Sequence, residues 1–314
     1  MILRTAIACF GYGRPEFYQR MLASLGNCKE ISNQEIDLFH YLDGGSESMQ
    51  SELVEVIENS GVPFKKIVRR QTNFGVGRQL IGARRELLDD EGYDRMIMME
   101  DDIEVGETYF TALLNLSDWA DKFEDVGCVQ VWNVQSGEQN ELLDRMGEVV
   151  LTNRHFVTYC ITKKAWDKIS PVLYRYESKF ISKKHYSKRP HYRIRLFIWN
   201  LIRKGRREQS GNLLNPPNEA ISHPFPKVYW RTSPTSQDAI TSIALHNAGL
   251  YRLATTVPRA FYFGETGVHC TPEVYREMGF HEQGHWQWTQ EQETKDFSMV
   301  YKDIDGNWLS SVYR

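Results

Sequence analysis

Apolar positions in the first hundred residues fall in short solid runs separated by amphipathic stretches, the pattern of buried strands alternating with helices. Residues 3–10 read as a strand, and Gly11-Tyr12-Gly13 turns the chain into Pro15, a good first helical residue, and the amphipathic run 17–25. Residues 38–42 form a second strand ending at Asp43-Gly44-Gly45-Ser46, followed by a helix over 53–59 that stops before Gly61. A third strand, 66–69, passes through Thr72-Asn73-Phe74-Gly75-Val76-Gly77 into a helix over 78–90, and the fourth runs from Arg95 to Met99. This alternation predicts an α/β fold whose mostly parallel sheet is flanked by helices and carries a nucleotide site along its carboxyl edge. No GxGxxG follows a strand, which removes the main support for a dinucleotide fold.

The pattern continues with a helix over 109–123, a strand over 126–132, a polar loop to Arg145, a strand over 156–161 and a helix over 163–169. Prolines 216, 217, 224 and 226 punctuate a linker. A helix over 237–248, a strand over 251–255 and a loop over 264–269 follow, and the last 40 residues are polar and aromatic with little periodicity. The chain divides into a nucleotide-binding core (1–172), a basic insertion (173–234), an acceptor-side part of the core (235–272) and a C-terminal region (273–314).

Composition changes this picture in two places. Five cysteines, at 9, 28, 128, 160 and 270, are odd in number and widely spaced without CxxC, which argues against a disulfide scaffold or a zinc site and for a reducing compartment. The apolar stretch 2–10 carries Arg4 and is too short for a signal sequence, and no apolar run of membrane-spanning length occurs, so a cytoplasmic protein, at most peripheral at a membrane, is expected. Charge is uneven. Residues 175–207 hold twelve Lys and Arg against the single Glu177, a segment of +11 in a chain of net −3.

The candidate chemistry sits where the fourth strand ends. Glu100, Asp101 and Asp102 follow the run Met96 to Met99, and acids at the carboxyl end of a buried strand are placed to meet a ligand. Strand alternation sends Glu100 and Asp102 one way and Asp101 the other. One carboxylate then holds a hard divalent cation, Mn²⁺ or Mg²⁺, while another meets a ribose or a water; the plainer reading is a solvated acidic loop.

Taken in order, several segments resemble a GT-A glycosyltransferase, and more narrowly the N-acetylglucosaminyltransferase I type of inverting enzyme. They are Glu100-Asp101-Asp102-Ile103-Glu104-Val105, Cys128-Val-Gln-Val-Trp132-Asn133, Gly137-Glu138-Gln139, Asp238 heading a helix, Val257-Pro258-Arg259, Phe263-Gly264 and Gly267-Val268. The resemblance covers roughly 3–170 and 235–272 and implies a UDP-sugar donor, UDP-GlcNAc first. It makes Asp102 the metal ligand, Glu100 and Asp101 its donor-side neighbours, Arg14 and Asp43 contacts to the uridine, Val268 and His269 part of a loop over the diphosphate, and Asp238 the general base. This chain has Gln237 where the family has an aromatic, and His269 where it has serine, so the sugar or the acceptor differs.

Inverting transfer needs a base for the acceptor hydroxyl and positive charge on the departing diphosphate, which Asp238 and a metal on Asp102 supply. Plainer roles stand beside these. Asp238 at a helix start is also an N-cap, Asp43 before Gly-Gly a turn residue, and Arg84 and Arg85 either reach the donor or form a solvated helix face. His269 is a second metal ligand, a phosphate donor, or inert. In the basic segment Ile194, Phe197, Ile198, Leu201 and Ile202 share one helix face flanked by arginines, with Trp199 near the middle. That suits an anionic membrane surface, a nucleic acid tracked through its phosphates, or packing on its own domain. The expected function is sugar transfer to a hydroxyl of a membrane-held glycan. Transfer to hydroxylated bases in DNA, a nucleotidyltransferase and a non-catalytic glycan-binding module are the rivals.

Overall fold

Every residue of strand β1 (Thr5–Gly11) is buried, which explains its solid apolar run, because it lies mid-sheet between β2 (Asp37–Leu42) and β4 (Arg95–Glu100), both parallel to it. The computed structural model describes residues 3–134, 137–152, 157–183, 185–204, 234–267 and 270–302. The other strands are β3 (Lys66–Arg69), β5 (Ile103–Val105), β6 (Val126–Gln130), β7 (Glu148–Thr152), β8 (Thr158–Thr162), β9 (Tyr251–Thr255), β10 (Ala260–Tyr262) and β11 (Ser298–Met299). Among the described residues a nine-stranded sheet runs in the order β3-β2-β1-β4-β8-β6-β9-β7-β11, and β5 with β10 forms a separate two-stranded sheet. The large sheet is mixed but mostly parallel: β8 runs against β4 and β6, β7 runs against β9, and the other pairs are parallel.

Alternation along the strands feeds two helical layers. Ile7, Cys9, Ile97 and Met99 face α1 (Pro15–Gly26), α2 (Lys29–Ser32), α3 (Glu47–Asn59) and α5 (Tyr109–Ala120). Ala6, Ala8, Met96 and Met98 face α4 (Gly75–Arg84, extended by a wider turn to Asp90), α7 (Lys163–Tyr176), α8 (His191–Lys204) and α9 (Gln237–Asn247). Two short helices, α6 (Gln139–Leu143) and α10 (Pro272–Glu277), lie outside these layers. The doubly covered α/β sheet expected from the alternation is therefore present.

Several elements differ from expectation. The stretch after Arg145 contains β7, which pairs with β9, and the C-terminal region supplies β11 and α10. Helix α7 continues to Tyr176 rather than stopping at 169. The interfacial-helix reading of the basic segment is overturned in its apolar part. Ile194 and Ile198 of α8 are fully buried and Phe197 nearly so, with Leu201 and Ile202 packed against the same core. Each such burial is worth roughly 1.5–3 kcal/mol, so this face belongs to the protein's own interior and not to a bilayer. The outer face of α8 retains Tyr192 and Trp199, 63% and 42% exposed. Among the described residues no helix is long and apolar enough to cross a membrane, and all five cysteines are free thiols.

Candidate active site

Strand β4 brings Glu100 to the sheet's carboxyl edge beside Phe10 of β1, after which the chain turns at Asp101-Asp102 and enters β5. The turn ends the strand alternation. Arg14, in the loop after β1, grips both aspartates: its Nε donates to Asp101 Oδ2 at 3.1 Å, and its Nη2 donates to Asp101 Oδ1 and, at 3.1 Å, to Asp102 Oδ2. The expectation that Asp101 points away from Asp102 is thus corrected, because no ladder partner holds residues 101–102 in extended geometry. From the other side the chain after β10 closes on Asp102. Phe263 N donates to its carbonyl at 2.9 Å, and a Cβ on Gly264 would lie 2.7 Å from Asp102 Oδ2, so only glycine permits this approach.

Asp101 and Asp102 are buried and Glu100 half-buried. Burial pushes the Asp101 carboxyl up to about 7 although Arg14 pulls the other way, and it raises Asp102 as well. Burial first, then the charges of Asp102, Asp238 and Asp101, hold the Glu100 carboxyl well above its ordinary range. Asp238 at the start of α9 thus acts on Glu100 across more than 130 residues of sequence.

The fit to a cation rests on Asp102. Its Oδ1 is buried without a hydrogen-bond partner, a costly state for a carboxylate oxygen unless a ligand completes it, and a carboxylate oxygen suits Mn²⁺ or Mg²⁺. Among the described residues no three His, Cys, Asp or Glu side chains converge into a complete metal site. Val268 and His269, expected over the diphosphate, lie outside the described residues.

Asp238 is the second residue of α9, and the cap is Ser236, whose Oγ accepts from Ala239 N at 3.3 Å. The N-cap reading of Asp238 is therefore corrected: the capping oxygen is already supplied. Asp238 Oδ1 instead accepts from Gln237 Nε2. Gln237, fully buried, also receives Arg84 Nη1 at 3.2 Å and Thr241 Oγ1 at 3.3 Å on its Oε1, while its own N–H donates to Tyr186 Oη at 2.9 Å. Gln237 is thus an internal hydrogen-bond hub.

Arg84 is not on a solvated face. It is fully buried, donating to Gln237, Met98 Sδ and Tyr159 Oη, with Trp166 beside it, whereas Arg85 pairs with Glu177 nearer the surface. Asp43 turns both oxygens to its own loops. Oδ1 accepts from Gly44 N at 2.8 Å and Phe74 N at 2.7 Å, and Oδ2 from Gly75 N at 2.8 Å, which ties the end of β2 to the start of α4. Sequence reasoning missed Tyr186, Arg189 and His191, the residues of the basic segment that reach Asp238's neighbours. The spacing of Gly75 and Gly77 is the one local hint of a bulky partner.

No protein-family model matches the chain, and no curated protein matches it in sequence. Among solved structures it is similar to S. aureus TarS (12% identity, 57% of this chain on 30% of that one, TM-score 0.37). It is also similar to GalNAc-T7 with UDP, GalNAc and Mn²⁺ (12%, 54% on 36%, TM-score 0.40). A third is the mannosyltransferase PcManGT from Pyrobaculum calidifontis in complex with GDP-Man and Mn²⁺ (10%, 79% on 71%, TM-score 0.41). The chain spans about a third of the length of the first two, and the likeness is one of chain path.

Proposed function

We propose that this chain is a metal-dependent glycosyltransferase of GT-A type that moves a sugar from a nucleotide diphosphate to an acceptor hydroxyl with inversion, UDP-GlcNAc being the first donor to try. The observation that carries the reading is a buried Asp102 Oδ1 without a hydrogen-bond partner at the strand end, in a chain whose second candidate carboxylate, Asp238, sits outside the cap position of α9. Asp102, with His269 as a further ligand, would hold Mn²⁺ or Mg²⁺, which supplies positive charge for the departing diphosphate. Arg14 adds a cation at the same edge, and Glu100 and Asp101 line the donor side. Asp238 takes the acceptor hydroxyl's proton as the new oxygen–carbon bond forms and the bond from the anomeric carbon to the diphosphate oxygen breaks. Arg84 acts from beneath, holding Gln237, and Asp43 shapes the loop that meets the nucleoside.

For the acceptor we favour a membrane-held glycan, supported by the exposed Tyr192 and Trp199 on the outer face of a helix in the basic segment. Asp238→Asn keeps volume and removes the base. It should retain UDP binding with Mn²⁺ and lower turnover by about 10²-fold or more. Asp102→Ala should abolish the Mn²⁺-dependent part of UDP binding in calorimetry. Equal UDP affinity of the native chain with Mn²⁺ and with EDTA would overturn the metal assignment, and full turnover by Asp238→Asn would overturn the base.

A further inference from the structure

The short turn Tyr186–Lys188 belongs to the basic insertion, yet its tyrosine is buried between two parts of the candidate site. On one side the ring lies against the glycines of the loop after β3. A Cβ on Gly75 would stand 2.5 Å from Tyr186 Cβ, and one on Gly77 2.3 Å from Tyr186 Cε2, so the contact exists only because both positions lack a side chain. That loop is the one pinned by Asp43 through Phe74 N and Gly75 N. On the other side the Tyr186 hydroxyl accepts from Gln237 N at 2.9 Å. A first-turn N–H has no partner within its own helix, so an outside acceptor determines how that end of α9 is held.

The neighbouring contacts act in the same direction. Tyr176 Oη donates to Thr235 O at 2.9 Å, Arg189 Nε donates to Thr235 O and Oγ1 at 3.3 Å each, and His191 Nδ1 hydrogen-bonds with Thr235 Oγ1 at 2.6 Å. Arg189 also stacks over the Tyr186 ring at 4.4 Å and donates to its carbonyl at 3.0 Å. Tyr176, Tyr186, Arg189 and His191 thus suspend the segment that leads into Asp238.

We propose that Tyr186 is a positioning residue for Asp238: its ring is seated on the Gly75 and Gly77 loop of the nucleotide side, and its hydroxyl orients the first turn of α9 on the acceptor side. The inference rests on the reading of Asp238 as the base, and it gives the insertion a role inside the reaction. A displacement of about 1 Å in a reacting group costs up to 10²-fold in rate, so a tether that acts only on geometry is visible in turnover.

The test uses the full chain and whichever UDP- or GDP-sugar it turns over fastest with Mn²⁺, followed as release of the nucleoside diphosphate. Tyr186→Phe keeps the ring on the glycines and removes the acceptor. Its kcat should fall about tenfold, with the donor KM within twofold and faster amide hydrogen exchange over 235–239 but not over 75–84. In the Asp238→Asn background the same change should cost nothing further, because Tyr186 acts through the carboxylate. Gly77→Ala pushes the ring from the donor side and should lower kcat in the native background but not beside Tyr186→Ala, where the space is free. A Tyr186→Phe protein with native kcat and native exchange overturns the proposal, as does a Tyr186→Phe penalty that persists in full beside Asp238→Asn. Asp238→Asn measured alone decides the base separately: if it is inactive while Tyr186→Phe is unaffected, the positioning role fails and the base stands.

Discussion

The ion pair between Arg259 and Glu293 is the contact most open to a quantitative test. Both side chains are essentially inaccessible, at 0% and 2% exposure. Arg259 donates through Nε at 3.2 Å and Nη2 at 3.0 Å to the two Glu293 oxygens, and also to the carbonyls of Val257 at 2.6 Å and Met146 at 2.9 Å. Glu293 Oε1 additionally accepts from Thr108 Oγ1 at 2.7 Å. Glu293→Ala removes two charge-assisted bonds, strands a buried guanidinium and orphans the threonine hydroxyl. Breaking one side of such a pair costs about 3–5 kcal/mol, a large share of the roughly 5–15 kcal/mol that holds a domain folded. Replacing both partners by Arg259→Met and Glu293→Leu removes the charges together and should recover part of the loss, the Thr108 hydroxyl and the Met146 carbonyl staying without these partners. Urea unfolding at pH 7, followed by circular dichroism, reads this as a lower midpoint at constant slope for the single variant and an intermediate midpoint for the double. A single variant within about 1 kcal/mol of native, or a double no better than the single, would refute the argument. The site depends on this anchor, because Arg259 leads into β10, its carbonyl accepts from Gly106 N at 2.8 Å, and β10 pairs with β5 directly after Asp102.

Ser236→Ala removes the cap of α9 and should cost about 1 kcal/mol in unfolding free energy, whereas Asp238→Asn should leave stability near native; an equal stability loss in Asp238→Asn with turnover retained would return Asp238 to a structural role. His40 is buried with Nδ1 against Tyr18 Oη at 2.8 Å, and burial holds its pKa down to about 3. The unfolded chain then binds a proton that the folded one refuses as pH falls from about 6.5 towards 3, so stability present above 6.5 is lost on acidification, by about 2 kcal/mol at pH 5. His40→Asn keeps an acceptor for Tyr18 and should lose that part of the slope in urea midpoints measured at pH 7 and pH 5. Ile198→Ala in α8 should cost about 2–5 kcal/mol of stability as a core cavity; a loss under about 0.5 kcal/mol would show that this face is not packed in solution.

Sequence by itself determined the parts of this protein that depend on local periodicity. Solid apolar runs marked β1, β2 and β4 because central strands are covered on both faces, and Pro15 marked the start of α1 because its fixed backbone suits a first turn. The acids at 100–102 were legible as a strand end, whereas the cap of α9, read at Asp238, fell to Ser236 once the helix start was fixed. What only the tertiary structure decided are the relations between segments far apart in the chain. Asp101 and Asp102 share Arg14 because strand alternation lapses where the ladder stops, and 87 positions separate Arg14 from Asp101. The basic helix looked amphipathic enough for a membrane, but amphipathicity states only that a face must be covered, and here α9, with Arg175 of α7 and Phe180 just beyond it, covers it. Tyr186 carried no periodic signal, because a single side chain fitted onto two glycines and one orphan N–H is specified by shape and by unsatisfied backbone groups, which appear only once the chain has closed on itself.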